Sequence, residues 1–258
     1  MRNFNFIHLH SDKIIWTYIK YIIGGGKAIM TRAQMKQASK DQLRGNWGWA
    51  ICLTIFAWLF NAVILDINRW IWTGKDFTYS ILRYNNEAII QGYKPGYDLS
   101  TFIVSLIGGL VLWGVAYTIL DFIETGKKEP WYAGIFSAYS NGRFKNSLFT
   151  LFMTNLFITL WLFAFIIPAF IKGYSYAMTP YVLKDKFSAG QTDIGATEAI
   201  TESRKLMDGH KMDLFILDLS FIGWGLLGII TCGIGFIWIV PYYRQTKANF
   251  YRSLVANN

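Results

Sequence analysis

The chain has 258 residues, of which 53% are hydrophobic, 18% aromatic and only 16% charged, and its mean hydropathy is +0.28. Soluble domains carry about 25% charged residues, so this composition excludes a disordered chain, a collagen-like chain and an ordinary soluble enzyme domain. The formal charge is +9, but the bases flank apolar runs, where they set orientation and meet anionic headgroups rather than nucleic acid.

Residues 1–29 stand apart. Gly24, Gly25 and Gly26 lie just before Met30, and consecutive glycine codons read as a purine-rich ribosome-binding sequence. Residues 1–29 are therefore expected to be a misassigned extension, with a basic aromatic surface helix around 14–23 as the alternative. Residues 30–258 read as a single integral membrane domain. Arg32, Lys36, Lys40 and Arg44 recur every fourth residue and share one helix face. That face suits either an anionic leaflet or plain solvent.

Spans follow at about 47–67, 99–120, 148–167, 168–184, 213–231 and 234–252. A helix needs about 20 apolar residues to cross a bilayer core. The first run holds 21 residues and the second 22. Gly108, Gly109, Gly114 and Ser105 give the second a small-residue face for close helix contact. The region 214–243 is too long for one untilted span, and 231–235, with Gly233 and Gly235, is the natural break. Four spans compete with six. Eight Lys/Arg precede Trp47, which makes that side cytoplasmic. Six spans place twenty bases inside and four outside, with Lys172 at the outer interface; four spans leave ten outside. The weak member is 234–252, where Arg244 and Lys247 would snorkel toward the cytoplasmic interface.

Candidate chemistry is sparse. Cys52 and Cys232 sit in apolar runs and read as buried hydrophobes. His8, His10 and His210 lack metal-ligand spacing. Asp218 is an intramembrane carboxylate, a costly group that often marks an ion pathway; Lys172 is the other charge at depth, and a Lys172–Asp218 pair is one arrangement. Asp66, Asp121 and Glu124 end spans and read as hydrated terminal charges. Asn61 and Asn155 are expected to hydrogen-bond between helices. Pro168 and Pro241 are expected at turns. Ser203, Asp208 and His210 are triad ingredients without a nucleophile elbow. A cytoplasmic helix at 196–209 places Ala196, Ala199, Ile200, Ser203 and Leu206 on one face, with Thr192 or Asp193 as N-cap and Gly209 as C-cap.

The run Ser203 to Lys211, the stretch LSFIGWGLLGIITCGIGFIWIVPYY, the tail Asn249-Phe250-Tyr251, the segment FIIPAFIKGYSYAMTPYVLKD and the start Met30-Thr31-Arg32-Ala33 resemble a family of Gram-positive bacterial integral membrane proteins of unknown function. More distantly, the layout is similar to the membrane domain of some glycerophosphodiester phosphodiesterases, which implies a lipid-adjacent role.

These readings make the protein an all-α polytopic transmembrane helical bundle of about six spans with interfacial amphipathic helices, multi-pass in the plasma membrane, with both termini cytoplasmic. No enzyme activity, cofactor, metal or nucleic acid is expected. The partners are the anionic cytoplasmic leaflet and a membrane protein or second copy of the chain. A non-catalytic scaffold or accessory protein is the first expectation, working through helix 196–209. A small transporter or export/immunity factor is the second. The candidate transport or partner-contact residues are Asp218, Lys172, Pro168, Ser203, Gly209 and Lys211.

Overall fold

A computed structural model describes residues 30–73, 95–140 and 142–257. The expectations on residues 1–29 lie outside the described residues. All regular structure among the described residues is helical. In chain order the helices are α1 Arg32–Leu43, α2 Trp47–Thr73, α3 Pro95–Thr125, α4 Trp131–Gly134, α5 Phe144–Ala164, α6 Ile166–Tyr176, α7 Thr179–Ser188, α8 Glu198–Leu206, α9 Lys211–Leu219, α10 Ile222–Ile230 and α11 Phe236–Val255.

Four segments are long and apolar enough to cross a membrane: Trp47–Trp72, Gly96–Thr125, Phe144–Phe163 and Lys211–Ile230. The third is the axis of the bundle. Over half of the most apolar window of Gly96–Thr125 is buried (56%), against 22% for each of the others. The small residues of α3 explain this. A side chain at Gly108 would run into Asn61 of α2, one at Gly109 into Leu151 of α5, and one at Gly114 into the Ile135 carbonyl. Removing the Cβ lets backbones approach closely.

Pairwise contacts fix direction. Trp49 packs on Phe122, with ring centroids 4.9 Å apart, and Asn68 donates to Thr101 at 2.9 Å, so α2 and α3 are antiparallel. Tyr117 and Ser147 share a hydrogen bond of 3.1 Å, and Phe102 meets Phe152, so α5 runs antiparallel to α3. The chain turns at Phe165, which is extended (φ −164°, ψ 143°), and α6 returns along α5. A second reversal falls at 231–235, where Cys232 (φ 52°) and Gly233 (φ 91°) adopt left-handed conformations. Gly228 then lies against Phe236, joining α10 to α11. The sides that face away from the protein are apolar, among them Trp58, Phe163, Ile166 and Ile230. Such surface needs lipid or a partner.

Several expectations change. The stretch 168–184 is not one helix; it divides between α6 and α7 at residues 177–178. Pro168 sits in the first turn of α6, where no amide hydrogen is missed. Pro241 lies inside α11 rather than at a turn. Asn61 donates to Ala57 of its own helix at 2.8 Å, and Asn155 is exposed, so neither makes the interhelical bond expected of it. The 196–209 helix starts later, at Glu198 with Thr197 as N-cap. It ends at Leu206 with Met207 as C-cap, and Gly209, expected in that role, lies two residues beyond with φ +78°.

The segment between α3 and α5 is not a plain loop. Trp49 donates to the Glu129 carbonyl at 2.7 Å. Trp131 stacks on Phe56 at 4.0 Å, and Phe136 meets Phe60 edge-on. The chain thus climbs about 16 Å along α2, at 1.5 Å per residue. It is secured to α3 by Thr118 donating to the Gly134 carbonyl, and by Ser137 and Tyr139 donating to the Gly114 and Ile107 carbonyls. Tyr139 then stacks on Phe144 at the start of α5. Backbone inserted this way needs internal partners for its polar groups, and Trp49 and Thr118 supply them at the Glu129 and Gly134 carbonyls.

Candidate functional site

The polar chemistry gathers at one end of the bundle and converges on α11. That helix carries three polar sets at helical spacing. Gln245 and Asn249 face α1, Arg252 reaches the ends of α3 and α7, and Tyr243, Arg244, Lys247 and Tyr251 turn toward α6, α7 and α9.

The first set is an amide network. Gln245 Nε2 donates to Gln42 Oε1 at 2.8 Å, and Asn249 Nδ2 donates to Gln42 Oε1 and to Ser39 Oγ at 2.8 and 2.9 Å. Gln42 Nε2 returns a bond to Asn249 Oδ1. All four residues are buried. A fully paired buried network fixes register, because any slip orphans its members. A capping box at Thr31 and Gln34 starts α1. The helix buries Met35, Ser39, Gln42 and Leu43, so it is docked on α11. Its basic face is partly used as well. Lys36 donates to the Ser220 carbonyl at 3.1 Å and lies 4.3 Å from the Phe221 ring centre. Burial, then Lys40 and Arg32 beside it, push the Lys36 ammonium below the usual lysine range.

The second set is ionic. Lys184 pairs with Asp121 and donates to Ser188 at 2.9 Å. Arg252 grips Asp185 with both arms, at 2.9 and 2.7 Å, and also pairs with Glu124. Tyr251 donates to Asp185 at 2.6 Å. Asp121 and Glu124, expected as hydrated span ends, are instead bound to α7 and α11. Below them Lys186 pairs with Glu198 and Glu202 at 2.9 and 2.7 Å, tying α7 to α8. Partial burial pulls Lys186 down, but the two carboxylates outweigh it and its ammonium titrates above the usual range. The Lys186 hydrogen bond, with the Gly195 amide, holds Glu198 below its usual range.

The third set surrounds Asp218. Tyr174 of α6 donates to Oδ2 at 3.1 Å, and Tyr243 of α11 to Oδ1 at 2.9 Å. Lys247 lies within electrostatic reach of this carboxylate, and Arg244 within reach of the Tyr181 and Tyr243 hydroxyls. Arg244 and Lys247 thus lie beside other polar side chains of the protein, and each keeps some accessible surface.

The other candidate residues are dispersed. Lys172 does not join Asp218; its ammonium sits 4.9 Å from the Trp161 ring centre. Ser203 is fully buried and donates to the Ser175 carbonyl at 2.8 Å. His210 instead meets Asp213 at 3.1 Å, and Lys211 meets Asp208 at 3.7 Å, so Ser203, Asp208 and His210 form no triad. Ala199 and Ile200 are buried with Ser203, so the apolar face of α8 is used within the protein.

A family model described as Protein of unknown function (DUF975) matches residues 30–172 and 162–258. The chain belongs to this family. Comparison with curated proteins and with solved structures finds no match. The DUF975 match spans every helix that builds the three polar sets.

Sequence reasoning missed Arg244, Lys247, Tyr174, Tyr181 and Tyr243 as a group. A signal was present. Arg244, Lys247 and Tyr251 recur at i, i+3 and i+7, one helix face, in a helix otherwise read only for its hydropathy.

Proposed function

We propose that this DUF975 protein is a non-catalytic polytopic protein of the plasma membrane that acts by binding at its cytoplasmic end. In this reading the chain crosses six times and both termini are cytoplasmic. The observation that carries it is the joining of the ends of α3, α7 and α11 through Asp121, Glu124, Lys184, Asp185 and Arg252. With α3 returning to the side where α2 begins, that junction puts the 189–197 loop and the C-terminus beside α1. The basic residues of α1 and of the 184–211 region then share one side, as the positive-inside tendency favours. A Gram-positive plasma membrane would supply the anionic leaflet facing them. Partner contact through the apolar face of α8 is disfavoured, because Ala199, Ile200 and Ser203 are buried. The binding surface is instead the polar cluster of Asp218, Arg244 and Lys247.

A second reading, a small transporter, draws on Asp218 in a membrane-length segment and on the helix break at Phe165. Intramembrane carboxylates and broken helices occur on ion pathways. Proteoliposomes bearing the full chain and an entrapped pH-sensitive dye separate the two. The binding reading predicts that an imposed proton gradient decays no faster than in protein-free liposomes. Rapid decay that Asp218→Asn abolishes would establish the transporter instead.

A further inference from the structure

Buried cations in proteins are paired, because an unpaired one loses its hydration without compensation. Most of this molecule obeys that rule. Lys184 has Asp121, Arg252 has Asp185 and Glu124, and Lys186 has Glu198 and Glu202. Arg244 and Lys247 do not. Neither makes a hydrogen bond or ion pair among the described residues, although both are partly buried. The one carboxylate nearby, Asp218, already accepts a tyrosine hydroxyl on each oxygen. Two positive charges therefore face one negative charge.

Tyr181 adds an independent sign. It is only 5% exposed, its ring is stacked on Tyr251 at 5.3 Å, and its hydroxyl lies within electrostatic reach of Arg244. Yet that hydroxyl has no hydrogen-bond partner among the described residues. The hydroxyl oxygen keeps accessible surface, so it is open to an incoming acceptor. This cluster thus presents a five-donor guanidinium, a three-donor ammonium and a hydroxyl that make no hydrogen bond among the described residues. Arg244 and Lys247 stand at i and i+3 on α11, so their donors point the same way.

We propose that Arg244, Lys247 and the Tyr181 hydroxyl form a binding site for a phosphate-type oxyanion. Such an anion offers several acceptor oxygens and up to two negative charges, which fits the guanidinium fork, a point charge and one hydroxyl together. A carboxylate offers two oxygens and one charge and would leave donors unused. Asp218, held by Tyr174 and Tyr243, positions Lys247. The proposal deepens the binding reading above. The anion is either a free phosphate from the cytoplasm or the headgroup of an anionic phospholipid, and the chemistry of the site is the same for both.

The test uses the purified full chain. In detergent, inorganic phosphate is titrated and the thermal unfolding midpoint followed; in parallel, the chain is placed in phosphatidylcholine bilayers with and without phosphatidic acid. A bound anion raises the midpoint. The apparent affinity should fall about tenfold or more in the Arg244→Gln, Lys247→Gln double variant, with each lost charged hydrogen bond contributing. It should fall several-fold in Tyr181→Phe, which keeps the stacked ring. Lys205→Gln, an exposed cation, should leave it unchanged. Stabilisation by inorganic phosphate assigns a soluble ligand, and stabilisation by phosphatidic acid alone assigns a headgroup. If the double variant does not fold, Tyr181→Phe carries the test. No response to either probe, or an equal response in wild type and Tyr181→Phe, overturns the proposal. The phosphate arm does not depend on orientation in a membrane, so it separates failure of this site from failure of the topology.

Discussion

Arg252 holds the ends of three helices. It takes Asp185 bidentately and also reaches Glu124, while Tyr251 supplies a further bond to Asp185. The Arg252 side chain is 16% exposed and Asp185 29%, so the pair is partly screened and is weaker than a fully buried one. Removing the guanidinium leaves two carboxylates close together with no cation between them. Arg252→Ala is expected to destabilise the fold by roughly 2 kcal/mol, read as a lowered thermal midpoint in detergent. An unchanged midpoint would mean that the three helix ends are held by packing alone. None of this was legible in the sequence, where Arg252 was only one of three bases after the last apolar run. Its partners lie 67 residues and more upstream, and neither periodicity nor composition carries information across that distance. Asp218 was legible as unusual, but its partners were not. Tyr174 and Tyr243 lie in stretches read only as apolar spans, and hydropathy does not report the direction of a hydroxyl.

At the scale of elements, the small-residue face of α3 was the most readable feature. Gly108, Gly109 and Gly114 meet α2, α5 and the inserted 130–139 segment. The contact at Gly114 is with backbone, the Ile135 carbonyl, which cannot rotate away. Gly114→Ala should therefore displace the inserted segment and cost about 1–3 kcal/mol as overpacking. Gly48, which has open space around it, provides the control, since an alanine there adds helix propensity without a clash. The measurement is the difference in thermal midpoint between the two variants, and equal midpoints would remove the close approach from the account. The insertion itself was invisible in the sequence, because Pro130-Trp131-Tyr132-Ala133-Gly134 reads as a loop beside a span. What draws it inward is aromatic packing on Phe56 and Phe60 and hydrogen bonds from Thr118, Ser137 and Tyr139. The expected break at 231–235 is where the chain reverses, since Gly233 allows φ +91°. The helix expected over 196–209 forms over the shorter Glu198–Leu206, and its apolar face, assigned to a partner, packs inside the protein. Amphipathicity says that a face is buried; it does not say against what.

At the scale of the whole molecule, four segments are long and apolar enough to cross a membrane on their own, while α7 and α11 hold the polar end together. Hydropathy alone treats α7 and α11 as poor spans. Their polar residues are instead the contacts that bring the ends of α3, α7 and α11 to one place, with α1 docked against them. The central claim is that this end, including the 189–197 loop, faces the cytoplasm. Gln191 is exposed and, unlike Gly190 with φ +80°, accepts a side chain without strain. With Cys52 and Cys232 replaced by Ser, Gln191→Cys is tested with a membrane-impermeant thiol reagent on intact and permeabilised cells, beside Ser80→Cys between α2 and α3. The account predicts labelling at 191 only after permeabilisation and labelling at 80 in intact cells. Labelling at 191 in intact cells would place the polar end outside and contradict it.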